Sequence, residues 1–392
     1  MQYAAGMIPD LSVHSVHWPF RWHRNPQPGV PGTVVLPEGG YRRAREEITA
    51  WPGYAPTPLV ELPEVAAAAG VASVHYKDEG GRFGLGSFKA LGGAYAVARV
   101  LGAELARRGV ARAAGSAALE SGAHEEATRA LTVCCATDGN HGRSVAWGAH
   151  RFRCGCVIVV HPGVLPARRA AIARWGAEVR EVPGNYDAAV RAAAEVAERE
   201  GWFVVSDTSW PGYTEVPRDV MQGYRLMAEE AIAAMPAPPS HLFVPGGVGG
   251  AAAAVSVQAR RMLGAGAARL AVVEPEAAAC LLDSAVAGAP VTVGGALDTV
   301  MAGLACGEPS LLAWAELERA AHAFLAVPDA AALWCRDALA GRQPPVLAGE
   351  SAVAGMAGLL LAARDPAARA ALELDGGSRV LLFGTEGVTD AG

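Results

Sequence analysis

Lysine is nearly missing from this sequence: two occur in 392 residues, Lys77 and Lys89. Charge of any kind is thin, at 18% of residues, while hydrophobic residues reach 52%. That balance excludes a disordered chain, which needs low hydrophobicity and high net charge. The net charge is −6, so there is no basic footprint for nucleic acid or for an anionic membrane surface. No apolar run approaches the roughly 18–20 residues that span a bilayer; the strand-like run from Cys156 to Val160 is far too short. The N-terminus lacks a basic segment followed by an apolar stretch, so no secretory signal is expected. Seven cysteines are an odd count. Disulfide frameworks belong to small secreted domains, so reduced thiols and a cytoplasmic location are expected.

What the chain does have is glycine, 47 residues of it, and abundant alanine. Both favour close backbone approaches and packed helices. At roughly 150 residues per domain, the length suggests two or three domains. Residues 1–50 read as an irregular arm. From residue 130 onward, apolar runs alternate with helical patterns. Strands are predicted at Leu131–Ala136, Cys156–His161, Glu178–Val182, Trp202–Val205, His241–Pro245, Leu270–Glu274 and Arg379–Phe383. Helices are predicted at Ser144–Phe152, Ala167–Trp175, Tyr186–Glu200, Val220–Met235 and Gly250–Leu263. This alternation argues a parallel sheet with helices on both faces. Residues 103–130 are low in complexity and read as a helix end with a surface insertion.

Four stretches carry chemistry. Lys89 sits between Phe88 and Ala-Leu-Gly-Gly, in apolar, glycine-crowded surroundings. Desolvation disfavours an ammonium there, which frees a neutral amine for a Schiff base; a lysine snorkelling at a helix edge would read the same way. Thr137-Asp138-Gly139-Asn140-His141-Gly142-Arg143 follows a buried strand and opens a helix, the place where open α/β sheets bind ligands. Asp138 is either a general base or the cap of that helix. Gly246-Gly247-Val248-Gly249-Gly250 makes a nest of N–H groups at a helix start, which suits a phosphate. Gly384-Thr385-Glu386-Gly387 puts a hydroxyl at a strand end. A reactive lysine, an anion-friendly turn, a phosphate nest and a terminal hydroxyl together suggest a pyridoxal phosphate site. Cys134, Cys135, Cys154 and Cys156 lack metal-ligand spacing, so no metal is expected.

At these residues the chain resembles the fold-type II pyridoxal phosphate enzymes, the tryptophan synthase β-like group, and within them the diaminopropionate ammonia-lyases. The pattern KDE-x-x-RFGL-x-x-FK-x-LGG is matched from Lys77 to Gly93, and TDGNHGR-x-VAW from Thr137 to Trp147. SDTSWPGYTEVPRDVMQGY is matched from Ser206 to Tyr224, with VVEPE, MAGLACGEPS, GESAVAGMAG and GTEG-x-TD later. The resemblance implies two three-layer αβα domains with mostly parallel sheets and a cofactor cleft between them. The large domain would be 1–100 with 215–392, and the small one 101–214.

Carried over by resemblance, Lys89 is the Schiff-base lysine, flanked by Phe88. Asn140 would bond the cofactor's ring hydroxyl, Gly246, Gly247, Val248, Gly249 and Gly250 its phosphate, and Thr385 its pyridine nitrogen. Thr137, Asp138, Gly139 and His141 would meet the substrate. Asp138 would accept the α-proton of the D-isomer and Lys89 that of the L-isomer. Asp207 matches a second acid near the substrate and could supply the leaving group's proton. The implied reaction is α,β-elimination of 2,3-diaminopropionate to pyruvate and ammonia, by a homodimer. Gly80-Gly81 and Gly86-Ser87 stand where bulkier or more polar residues are expected. They keep open elimination or replacement on another β-substituted amino acid, such as serine or threonine.

Overall fold

Runs such as HLFVP and RVLLFG are apolar at every position, which suits strands covered on both faces. The computed structural model of the protein describes residues 18–137 and 139–388. In chain order its strands are β1 (Arg21–Arg24), β2 (Leu59–Glu61), β3 (Ser73–Asp78), β4 (Thr132–Ala136), β5 (Gly155–Val160), β6 (Glu178–Glu181), β7 (Phe203–Val204), β8 (His241–Pro245), β9 (Arg269–Pro275), β10 (Ala323–Val327) and β11 (Arg379–Gly384). They form a seven-stranded sheet, ordered β1-β10-β9-β8-β11-β3-β2, and a four-stranded one, ordered β6-β5-β4-β7. The larger sheet is parallel from β10 to β3 and antiparallel only at its two ends. The smaller sheet is parallel throughout.

Side chains alternate across each sheet, as the period of two demands. In the larger sheet Leu242, Val244, Leu381 and Phe383 enter one core, with helices Glu215–Ala234 and Gly250–Leu263. Phe243, Val380 and Leu382 enter the other, with helix Ala354–Arg364. In the smaller sheet Val133, Cys135 and Ile158 face helix Asn140–Phe152. Ala136 and Val159 meet Ala189 and Ala193 of helix Tyr186–Glu200, and Cys134 and Val157 meet Ala197. Each sheet is therefore the middle of three layers.

Helix Lys89–Arg107 joins the helical layers of the two sheets. It runs unbroken through residue 100 and packs against both Asn140–Phe152 and Glu215–Ala234. Its crossing with the latter is backbone on backbone. A Cβ placed on Gly223 would lie 1.9 Å from the Leu91 carbonyl oxygen, and one on Gly92 would lie 2.4 Å from the Tyr224 ring.

The N-terminal reading needs correction. Residues 1–50 are not irregular throughout: β1 joins the large sheet, and Glu38–Thr49 is a helix that buries Tyr41, Ala44 and Ile48. Residues 1–17 lie outside the described residues. The helix expected from Ser144 begins earlier, at Asn140, because the Thr137 hydroxyl accepts from the Gly139 and Gly142 N–H groups, both at 2.9 Å. Asp138, the cap considered from sequence, also lies outside the described residues. Residues 103–130 hold the end of the Lys89 helix and two short helices, Ser116–Glu120 and Glu125–Arg129. Among the described residues no helix is long and apolar enough to cross a membrane.

Candidate active site

The site forms where strands end. β4 leads into the Thr137 turn, β7 into Val205–Asp207, β8 into the glycine nest and β11 into Thr385. The carboxyl ends of parallel strands are where such sheets bind ligands. Lys89 arrives on a loop from β3 and opens its helix. That loop is anchored at both ends. The Glu79 N–H donates to the Gly384 carbonyl at 2.8 Å, and the Phe88 N–H to the Thr385 carbonyl at 3.1 Å.

Beneath the loop lies a buried ionic quartet. Lys77, Glu79, Arg82 and Glu230 are each at most 5% exposed. The Lys77 ammonium donates to Glu230 at 2.6 Å, and Arg82 bonds both Glu79 and Glu230 at 2.7 Å. Two cations against two carboxylates leave no net buried charge, and the paired geometry offsets the desolvation cost.

The nest follows from the backbone. Gly247 and Gly249 sit at φ of 57° and 95°, the left-handed region in which a side chain is strained. The Gly246 and Gly249 N–H groups are used inside the fold, donating to the Val273 and Gly246 carbonyls. The remaining N–H groups, at the start of helix Gly250–Leu263, are available to an anion. A Cβ on Gly246 would meet Glu274 at 2.6 Å, so Glu274 backs the nest directly. Burial lifts the Glu274 carboxyl to about 8, against the Leu281 and Leu282 N–H groups that donate to it at 2.9 and 2.8 Å. The folded chain thus keeps a proton that the unfolded chain, at the ordinary value of 4.5, has released. Stability linked to this group is full below the ordinary value and falls as pH rises toward about 8, by at most about 1.4 kcal/mol per pH unit. Denaturant titrations at pH 5, 6.5 and 8 should show Glu274→Gln flattening this segment; an unchanged slope would refute the assignment.

Lys89 faces the nest from across the cleft. Its ammonium lies 2.5 Å from Asp207 Oδ2, within 5.3 Å of the Phe88 ring centroid and 5.7 Å of that of Tyr224. Asp207 is buried, which alone would raise its carboxyl. The charges of Lys89 and His141, with hydrogen bonds from Lys89 and Tyr186, outweigh burial and hold it well below the usual carboxylate range. The Tyr186 hydroxyl donates to Asp207 Oδ1 at 3.3 Å. His141 Nε2 lies 2.7 Å from the Val205 carbonyl, to which it can only donate, and Nδ1 faces Asp207 at 3.8 Å. The Asn140 amide donates to Glu386 and accepts from Arg143.

Of the residues expected from sequence, Phe88, Lys89, Asn140, His141, Asp207 and Thr385 line one cleft, with Gly246, Gly247, Val248 and Gly250. Thr137, Gly139 and Gly249 shape the turns rather than the wall. Asp138 lies outside the described residues. Sequence reasoning missed Tyr186, Tyr224, Ser351 and Glu386 as lining residues. Glu386 stands next to Thr385, and Tyr224 and Ser351 stand inside matched stretches, while Tyr186 had no local signal.

The family model for pyridoxal-phosphate dependent enzymes matches residues 50–386. The chain is 38% identical to the diaminopropionate ammonia-lyase of Escherichia coli strain K12, over 86% of each chain. It is 39% identical to that of Salmonella typhimurium strain LT2, again over 86% of each. The crystal structure of the Escherichia coli enzyme in complex with an aminoacrylate-PLP azomethine reaction intermediate superposes with a TM-score of 0.83. It is 34% identical over 95% of this chain and 94% of that one.

Proposed function

This chain belongs to the pyridoxal-phosphate dependent enzymes, and within them to the diaminopropionate ammonia-lyase family, and on that premise we propose that it converts 2,3-diaminopropionate to pyruvate and ammonia by α,β-elimination. The observation that carries this reading is the convergence of Lys89, Asp207 and the glycine nest on one cleft. The donor set fits pyridoxal phosphate: an amine beside a carboxylate, N–H groups for a phosphate at a helix start, and the Thr385 hydroxyl on the same wall. The Gly246–Gly250 loop would hold the phosphate through its N–H groups not used inside the fold, Phe88 would flank the ring, Asn140 would meet its hydroxyl and Thr385 its nitrogen. When bound, the cofactor supplies an aldehyde for an amine and a ring that takes up the electron pair left at the α-carbon.

The chain's own groups do the rest. Neutral Lys89 removes the α-proton of the L-isomer. Asp138 is assigned the D-isomer, on its place in the sequence motif. While Lys89 is an ammonium, Asp207 is held ionised and serves as its counter-ion. With the L-isomer, the α-proton taken up by Lys89 is the one handed to the departing β-amine. Thr137, Gly139 and His141 shape the substrate side of the turn. Residues 101–214 form the small domain and the remainder the large one, with two copies of the chain as the working unit.

Purified protein given 2,3-diaminopropionate is expected to release one pyruvate and two ammonia per turnover. No product from either enantiomer, with cofactor bound, would overturn the substrate. Product from serine in its place would favour the wider β-elimination reading.

A further inference from the structure

Tyr224 lies on helix Glu215–Ala234 and is 1% exposed. It lines the same cleft as Lys89, and its ring packs on Phe88 with centroids 4.6 Å apart. Its hydroxyl oxygen is buried and has no well-formed hydrogen bond. A buried polar atom left unpaired costs stability, and such atoms are rare without a use. The Lys89 amine lies over the same residue, 5.7 Å from its ring centroid. Burial raises the phenol well above its ordinary value, and the Lys89 charge only partly opposes this. Tyr224 is therefore a protonated donor at any working pH.

The two partners of Lys89 differ in what they can offer the neutral amine. The Asp207 carboxylate only accepts, so it favours the ammonium. A phenol O–H can donate to an amine only when the nitrogen has a free lone pair, that is, when it is neutral. We propose that Tyr224 is a positioning residue for Lys89: its hydroxyl donates to Lys89 Nζ in the neutral state and holds that lone pair in the cleft. The amine would pass between Asp207 as an acid and Tyr224 as a base. In the elimination, Nζ gains the α-proton while its lone pair becomes the new N–H bond, and the same proton leaves with the β-amine. The kinetic part of this inference rests on the proposed reaction; the proton preference does not.

The test uses the full-length protein freed of cofactor. Amine acylation is followed by peptide mass spectrometry across pH, and reads Lys89 beside the chain's α-amine. Lys77, 1% exposed and paired with Glu230, serves as a folded-state control that stays unlabelled. Tyr224→Phe keeps the ring against Phe88 and removes only the hydroxyl. Its labelling midpoint is expected to move to higher pH, with about threefold to fivefold slower labelling below the midpoint, as fits the loss of one hydrogen bond to the neutral form. Asp207→Asn is expected to move the midpoint the other way. The remaining titratable groups facing the amine, His141, Tyr186 and Glu386, are present in both variants. With cofactor restored, Tyr224→Phe should lower kcat more for the L-isomer than for the D-isomer. An unchanged midpoint in Tyr224→Phe, with thermal stability retained, would overturn the inference. A shifted midpoint in a protein inactive on diaminopropionate would leave it standing and remove the substrate assignment.

Discussion

Replacing Lys89 by alanine is expected to abolish turnover, by at least about 10³-fold, because general acid–base work alone is worth 10²–10⁴-fold and the covalent anchor is lost as well. The structure says what else changes. Asp207 is 6% exposed and loses the ammonium 2.5 Å away, which is the largest charge holding it ionised. Its carboxyl should then rise, with only the Tyr186 hydroxyl at 3.3 Å and His141 at 3.8 Å beside it. The nest is untouched, so the variant should still bind pyridoxal phosphate, more weakly and without a covalent bond. Wild-type protein should show a Schiff-base band at roughly 410–420 nm, and Lys89→Ala should show the free aldehyde instead. A band at the wild-type position in the variant would move the anchor elsewhere.

The second large effect is expected at Gly223. A methyl group there would lie 1.9 Å from the Leu91 carbonyl oxygen, 2.7 Å from its carbon and 3.0 Å from Gly92 Cα. All three are backbone atoms of the opposite helix, so no rotamer change relieves the contact. Gly223→Ala gains about 1 kcal/mol of helix propensity, yet overpacking without a flexible neighbour costs more than that. A net loss of about 2–4 kcal/mol is expected, or a fall of about 2–5 °C in Tm for a chain of this length. The damage should reach the chemistry. Leu91 lies two residues after Lys89, so separating the helices draws the amine from Asp207 and from Tyr224. Cofactor affinity should therefore fall together with Tm. A variant as stable as wild type would show that the crossing yields more easily than its backbone contacts imply.

The site was more legible than the edges of the fold. The glycine nest is a run of neighbours in sequence, so spacing alone displays it. Lys89 stands out by scarcity and by its apolar flanks. Tyr186 has no local sign, and Tyr224 has none beyond ending a matched stretch: each sits in an ordinary helix, and tertiary packing brings both to the cleft. Among strands, the central ones were readable because both faces are apolar. β3, SVHYKD, was not, because its buried Lys77 looks like a surface residue until Glu230 is placed beside it 153 residues later. β1, RWHR, has no apolar alternation, and the helix Glu38–Thr49 buries just Tyr41, Ala44 and Ile48, too faint a stripe among charged residues. β10, AFLAV, is five residues long, follows a helix after only two residues and is indistinguishable by periodicity from that helix's end.

The two terminal strands of the large sheet, β1 and β2, are four and three residues long, and both run against their neighbours. A long parallel strand at either end would present a row of unpaired N–H and carbonyl groups to any passing chain. Here β10, wholly buried and apolar, is covered by a short stretch with arginine at both ends. The unassuming N-terminal segment thus acts as a guard against aggregation: it stops the apolar sheet from growing by adding a strand from another molecule, at a cost of only four ordered residues.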